Sequence, residues 1–205
     1  MKTRTLSNLF IFLMTVVATT GVSYAYAEAE QSIQTTVQPS VSIEKTASSI
    51  ETGTVNALDG THTGLKSVFA LKTNGDDSNY DFILSSRIKT TSGEASAYGN
   101  NGQLLFAHTL TVPTESDIAD AKAGGNNNKN VIAYPVNATV NSPMTVGFYN
   151  NYGAYGDCYV VKVNASQDGT VTHSVGTTPV SGSYSIGQDQ AGTYQSVVYF
   201  TAVSK

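Results

Sequence analysis

Residues 65–89 read LKSVFALKTNGDDSNYDFILSSRIK. Leu65 to Thr73 and Tyr80 to Lys89 both alternate apolar and polar side chains with a period of two, the repeat of a half-buried β-strand. Between them, Asn74-Gly75-Asp76-Asp77-Ser78-Asn79 concentrates turn-forming residues, so the pair reads as a β-hairpin. In the second run Tyr80, Phe82, Leu84 and Ile88 share one face, which makes that face the candidate core.

The same alternation recurs on both sides of this stretch. Upstream, Gln31 to Glu44 places Ile33, Thr35 and Val37 in one row, breaks at Pro39, and resumes with Val41 and Ile43. Downstream, further strands are expected over Gly102 to Val112, Val131 to Val140, Met144 to Tyr149, Tyr159 to Ala165, Thr170 to Val175 and Gly192 to Ser204. One helix is expected, about two turns in a connection: Thr114 is its N-cap, Glu115 and Asp117 fill its first turn, and Gly124-Gly125 stops it. The polar run Gly124 to Asn130 reads as a loop. With no internal repeat and no second domain, many strands and one short helix predict an all-β fold, a β-sandwich.

The first 27 residues read differently. Lys2 and Arg4 precede an apolar run from Leu9 to Val17, and Ala25-Tyr26-Ala27 supplies a small-x-small site. This is the pattern of a cleavable secretory signal, residues 1–27, cut before Glu28. Thr19, Thr20, Gly21 and Ser23 break the run short of the roughly 18–20 apolar residues that a bilayer span needs. Loss of Lys2 and Arg4 would leave nine basic against fifteen acidic residues, a net charge of −6. No basic stripe then remains to neutralise phosphates, which excludes nucleic acid as a partner. Export implies an oxidising compartment, yet Cys158 is the single cysteine and can form no internal disulfide. Among Tyr155, Tyr159, Val160 and Val161 it reads as a buried small hydrophobe.

Chemistry is sparse. His62, His108 and His173 are isolated, with no i,i+4 partner and no adjacent acid. Asn74, Asp76 and Ser78 alternate as calcium ligands can, but a solvated turn explains them fully. Glu94, Glu115, Asp117 and Asp120 show no acid–base pairing. The sequence therefore predicts no enzyme, no catalytic residues, no metal site and no cofactor. Tyr149, Tyr152 and Tyr155 fall in an aromatic cluster that can stack on sugar rings or close one end of the sandwich. Asn137-Ala138-Thr139 and Asn164-Ala165-Ser166 match glycosylation sequons.

The two ends are the unusual parts. Glu28 to Val37 is a short strand-like arm detached from the domain by Pro39. Ala191 to Ser204 leads through Gly192-Thr193-Tyr194 into a long hydrophobic strand that would present an apolar edge if left unpaired. A free strand at one end and an unsatisfied edge at the other suggest that one copy's arm completes the next copy's sheet.

Three stretches in this order resemble the chaperone–usher pilins, most of all the alpha-class pilins of the colonisation-factor type and the common-pilus major subunit. Gln31 to Ile43 resembles a donor strand running into the first strand of the fold. Gly64 to Ile88, with Ser67-Val68-Phe69-Ala70-Leu71 and Asp81-Phe82-Ile83-Leu84-Ser85-Ser86-Arg87, is similar to the early hairpin, and Ala191 to Val203 resembles the closing strand. Gly102-Gln103-Leu104-Leu105 is a weaker fourth match. The resemblance implies an incomplete immunoglobulin-like sandwich, residues 39–205, completed by a donor-strand arm, residues 28–38. Gln31, Ile33, Thr35 and Val37 would point into the groove, and Tyr194, Val198, Phe200 and Ala202 would form the receiving edge. It also implies a periplasmic chaperone, an outer-membrane usher and further copies of the chain as partners, a host-surface receptor as a further one, and a fimbrium on the cell surface as destination. The alternative from the residues alone is a secreted monomeric sandwich that binds carbohydrate through Tyr149, Tyr152 and Tyr155.

Overall fold

The computed structural model describes residues 34–46, 53–100, 102–124 and 130–205. The expected signal (1–27), the donor positions Gln31 and Ile33, and most of the polar loop after the helix lie outside the described residues. Residues 38–205 form one compact unit.

Among the described residues the fold is all-β, with two antiparallel sheets and one short α-helix, arranged as a β-sandwich. β1 (Val41–Lys45), β2 (Leu65–Thr73), β10 (Gln167–Val175), β7 (Val131–Val140), β6 (Gln103–His108) and β11 (Tyr194–Gln195) lie side by side in that order, with β5 (Tyr98–Gly99) also on β6. The second sheet runs β12 (Val197–Ser204), β3 (Tyr80–Thr90), β9 (Cys158–Lys162), β8 (Thr145–Tyr149), with β4 (Gly93–Ser96) on β3. The alternation sets which side chains face inward. Phe69 and Leu71 from β2 and Phe82, Leu84 and Ile88 from β3 are buried in one core with Leu104, Leu105, Val131 and Val161. Tyr98 lies fully buried among them, its hydroxyl 3.0 Å from His173 Nε2. Burial holds the His173 imidazole neutral, its pKa lowered to about 4.

Residues 65–89 are not a hairpin. β2 pairs with β1 on one side and β10 on the other, while β3 pairs with β12, β9 and β4 in the opposite sheet. The turn carries the chain from one sheet to the other. The Asp77 N–H donates to the Val163 carbonyl at 2.9 Å and its carboxylate accepts the Val163 N–H at 2.8 Å, which docks the crossing on the chain just beyond β9. Turn chemistry alone does not tell these outcomes apart, because Asn, Gly, Asp and Ser serve both.

The expected closing strand is also divided. Tyr194 and Gln195 pair with His108 and Ala107 of β6, whereas Val197 to Ser204 pair with Arg87 to Tyr80 of β3. The chain changes sheets at Ser196, whose hydroxyl lies 2.9 Å from that of Ser86. Gly192 makes the approach possible, since a Cβ there would stand 2.2 Å from His108 Nε2. Gly192→Ala is therefore expected to cost about 1–3 kcal/mol by overpacking, measured by denaturant unfolding.

The helix α1 (Glu115–Lys122) forms as its signals direct. Thr114 and Asp117 make a reciprocal capping box, and Ile118 and Ala121 are buried against the core. Glu115 accepts hydrogen bonds from the Ser92 hydroxyl and, at 2.5 Å, from the Thr90 hydroxyl, which lower its carboxyl pKa from the ordinary 4.5 to about 2. A depressed carboxyl contributes stability above its ordinary pKa and loses it as pH falls through the folded value. Glu115→Gln should thus lower the melting temperature at pH 7, and the gap from the parent should close between pH 4.5 and about 2.

Candidate functional site

β12 reads Val-Val-Tyr-Phe-Thr-Ala-Val-Ser, and its alternation decides what it can do. Val198, Phe200 and Ala202 turn inward, Phe200 nearly buried and the other two half-buried against the core. Val197, Tyr199 and Thr201 face outward. β3 takes up one side of the ladder from Arg87 to Tyr80. On its other side, among the described residues, β12 has no strand partner. About half of the backbone N–H and C=O groups of such a strand face away from its only partner and stay unpaired within the sheet.

Among the described residues the opposing sheet ends on β1, which is bonded only to β2. Val41 and Ile43 of β1 are half-buried and pack against the same core as Val198 and Ala202. Between these edges Phe69 meets Phe200, their ring centroids 5.8 Å apart. β1 and β12 come within 8 Å of one another at Cα, yet they share no ladder. The result is an apolar seam with a free strand edge on each side. A shallow hollow lined by Pro39, Tyr80, Ser204 and Lys205 marks one end of it. There Lys205 Nζ lies 3.2 Å from the Asp81 carboxylate and donates to the Asp77 carbonyl.

The expected receiving edge is thereby corrected at one residue. Val198, Phe200 and Ala202 line the seam, but Tyr194 does not. It belongs to β11 on the far edge of the other sheet, its ring edge-on to His108 at 5.1 Å and its hydroxyl donating to the Gln190 carbonyl at 2.9 Å. Of the four donor positions, Thr35 and Val37 are described. Both lie outside any strand, and Val37 exposes 76% of its surface.

No family model matches the chain, and no curated protein and no solved structure matches it.

The three tyrosines do come together, at the end of β8 and in the connection that leads to β9. Tyr149 and Tyr152 meet edge-on at 5.4 Å, and Tyr152 stacks on Tyr155 at 6.3 Å. Tyr152 and Tyr155 cover a second small core of Ile83, Cys158 and Val160 on the outer face of the β12-β3-β9-β8 sheet. Only Tyr149 of the three is exposed. The other candidate groups are engaged locally. The Asp76 carboxylate accepts from the Ser78 N–H and hydroxyl, and the Asn74 carboxamide reaches Gln38 and Ser40. His62 Nδ1 accepts from the Gly64 N–H, and His108 Nδ1 from the Leu110 and Thr111 N–H groups. Among the described residues no three His, Cys, Asp or Glu side chains are grouped to hold a metal.

Three contributors were not legible as site residues in the sequence. Val41 and Ile43 read simply as the first strand, and Asn74 as a turn residue; the pairing of Val41 with Thr73, next to Asn74, is what joins the two readings. Cys158 is fully buried, and burial pushes its thiol up to about 11. It should resist a disulfide reagent such as dithionitrobenzoate in the native protein at neutral pH and react at the rate of a free thiol once denatured.

Proposed function

We propose that the chain is a structural fimbrial subunit that polymerises head-to-tail by donor-strand exchange into adhesive surface fibres. The single observation that carries this reading is the seam: β12 is an apolar strand paired on one side only, its inward row incompletely covered. An added strand would satisfy the bare backbone groups while its alternate side chains enter the seam. The arm residues 28–37 have the matching alternation, with Gln31, Ile33, Thr35 and Val37 in one row. Burial of Ile33 and Val37 would contribute on the order of 3–6 kcal/mol before backbone pairing.

Geometry sets a condition on this step. A strand laddered to both edges needs about 9.6 Å between them, twice the usual spacing, whereas the edges come within 8 Å. Insertion therefore parts β1 and β12 by at least about 1.6 Å where they are closest. The contact between one copy's arm and the next copy's seam is heterologous, so it propagates as a fibre rather than closing. Before assembly the same seam is the surface for a periplasmic chaperone to cover, with delivery at an outer-membrane usher, and a host-surface receptor is a further partner of the finished fibre.

A second reading, a secreted monomeric carbohydrate-binding sandwich, rests on the exposed ring of Tyr149. Tyr152 and Tyr155 serve that reading less well, because both pack on Ile83, Cys158 and Val160. Removing residues 28–37 after the signal separates the two. The shortened chain should fold but form no ladder of heat-dissociable species in sodium dodecyl sulfate, and Ile33→Asp should do the same. Fibres that still form from the shortened chain would overturn donor-strand assembly.

A further inference from the structure

The root of the arm is fastened by the Asn74 side chain, with the Thr73 hydroxyl beside it. Asn74 opens the crossing between β2 and β3, and its carboxamide is turned toward Gln38 and Ser40. Oδ1 accepts from the Ser40 N–H at 2.5 Å and from the Ser40 hydroxyl at 3.1 Å. Nδ2 donates to the Gln38 carbonyl at 3.1 Å. The Asn74 N–H and the Thr73 hydroxyl both donate to the Ser40 carbonyl, at 3.2 and 2.9 Å. Pro39 lies between the two anchored residues, with its own φ fixed and with Gln38 confined to extended backbone.

This cluster is more than the local fold requires. Residues 38–40 belong to no strand, and Asn74, Gln38 and Ser40 are exposed, so their bonds compete with water. A plain turn needs no side chain with both a donor and an acceptor, yet Asn74 uses both on the same short segment. What the cluster does achieve is to fix where the chain N-terminal to Gln38 leaves the sandwich.

We propose that Asn74 is a positioning residue that holds the root of the N-terminal arm in order, so that the arm is pre-organised for delivery to a second copy of the chain. The inference rests on the donor-strand reading above. An arm with a loose root must be ordered at each addition, and freeing the backbone of one residue is worth about tenfold in the rate or affinity of such a step. Asp at position 74 keeps the acceptor for Ser40 and loses the donor to Gln38, so it removes part of the clamp without altering the size of the side chain.

The test compares the full chain with Asn74→Ala and Asn74→Asp in two measurements. One is capture of a fluorescent peptide of residues 28–38 by freshly refolded monomer, which reads the seam alone. The other is the rate of fibre growth, which reads the seam and the arm together. The expected result is unchanged peptide capture in both variants, with growth slowed about tenfold in Asn74→Ala and less in Asn74→Asp. Growth at the parent rate, with peptide captured normally, would overturn the clamp and leave the donor-strand reading standing. A fall in peptide capture that matches the fall in growth would also overturn it, because the residue would then be shaping the seam. Failure of the parent chain itself to capture the peptide would remove the donor-strand reading and the clamp with it. Should Asn74→Ala melt below the assay temperature, Asn74→Asp carries the same comparison.

Discussion

A strand that is buried on one face and hydrogen-bonded on one side only leaves a row of peptide groups without partners in the sheet, and the rest of this molecule is arranged around such a strand. In β12, Phe200 is held by the core through Phe69, so the strand cannot simply leave the sheet. Between Val197 and Ser204 the strand has no proline, no inward-pointing charge and no bulge to discourage pairing. An apolar edge of this kind invites another strand, and the proposed function is a controlled answer to that invitation.

The constraint also explains the path of the chain into the edge. β11 and β12 are one sequence segment shared between the two sheets, divided at Ser196. Tyr194 is anchored at His108 on one sheet, and the chain then crosses so that Val198, Phe200 and Ala202 face the core from the other. The opposite side of the seam is β1, held to β2 and continuous with the root that Asn74 fastens. Residues 38–40 and the free edge of β12 thus lie on one sandwich, as the proposed donor-and-acceptor chain requires. The outer face of the second sheet is sealed by Tyr152 and Tyr155 over Cys158, which gives the lone cysteine a packing role.

Much of this was legible in the sequence, because period-two alternation reports directly on one-sided burial. Leu65–Thr73 and Val131–Val140 are strands over the residues expected, and the Thr114 cap and the helix after it follow their local signals. The inward row Val198, Phe200, Ala202 was legible for the same reason. What alternation does not carry is the partner of a strand. β2 and β3 have the pattern and the turn of a hairpin, yet β2 pairs with residues 41–45 and 167–175, and β3 pairs with 158–162 and 197–204 besides its short neighbour β4. Tyr194 was misplaced because nothing in Tyr-Gln-Ser-Val-Val marks a change of sheet; only the packing of Gly192 against His108 does. Val41 and Ile43 belong to the site because β1 lies on the sheet edge that faces β12.

The central claim is that the free edge of β12 receives a strand from another copy. Amide hydrogen exchange, compared between the monomer and the assembled fibre, reads that edge directly. The account predicts that the β12 amides facing away from β3 exchange rapidly in the monomer and become strongly protected in the fibre, while those paired with β3 change little. Equal exchange of the β12 amides in both states would contradict it.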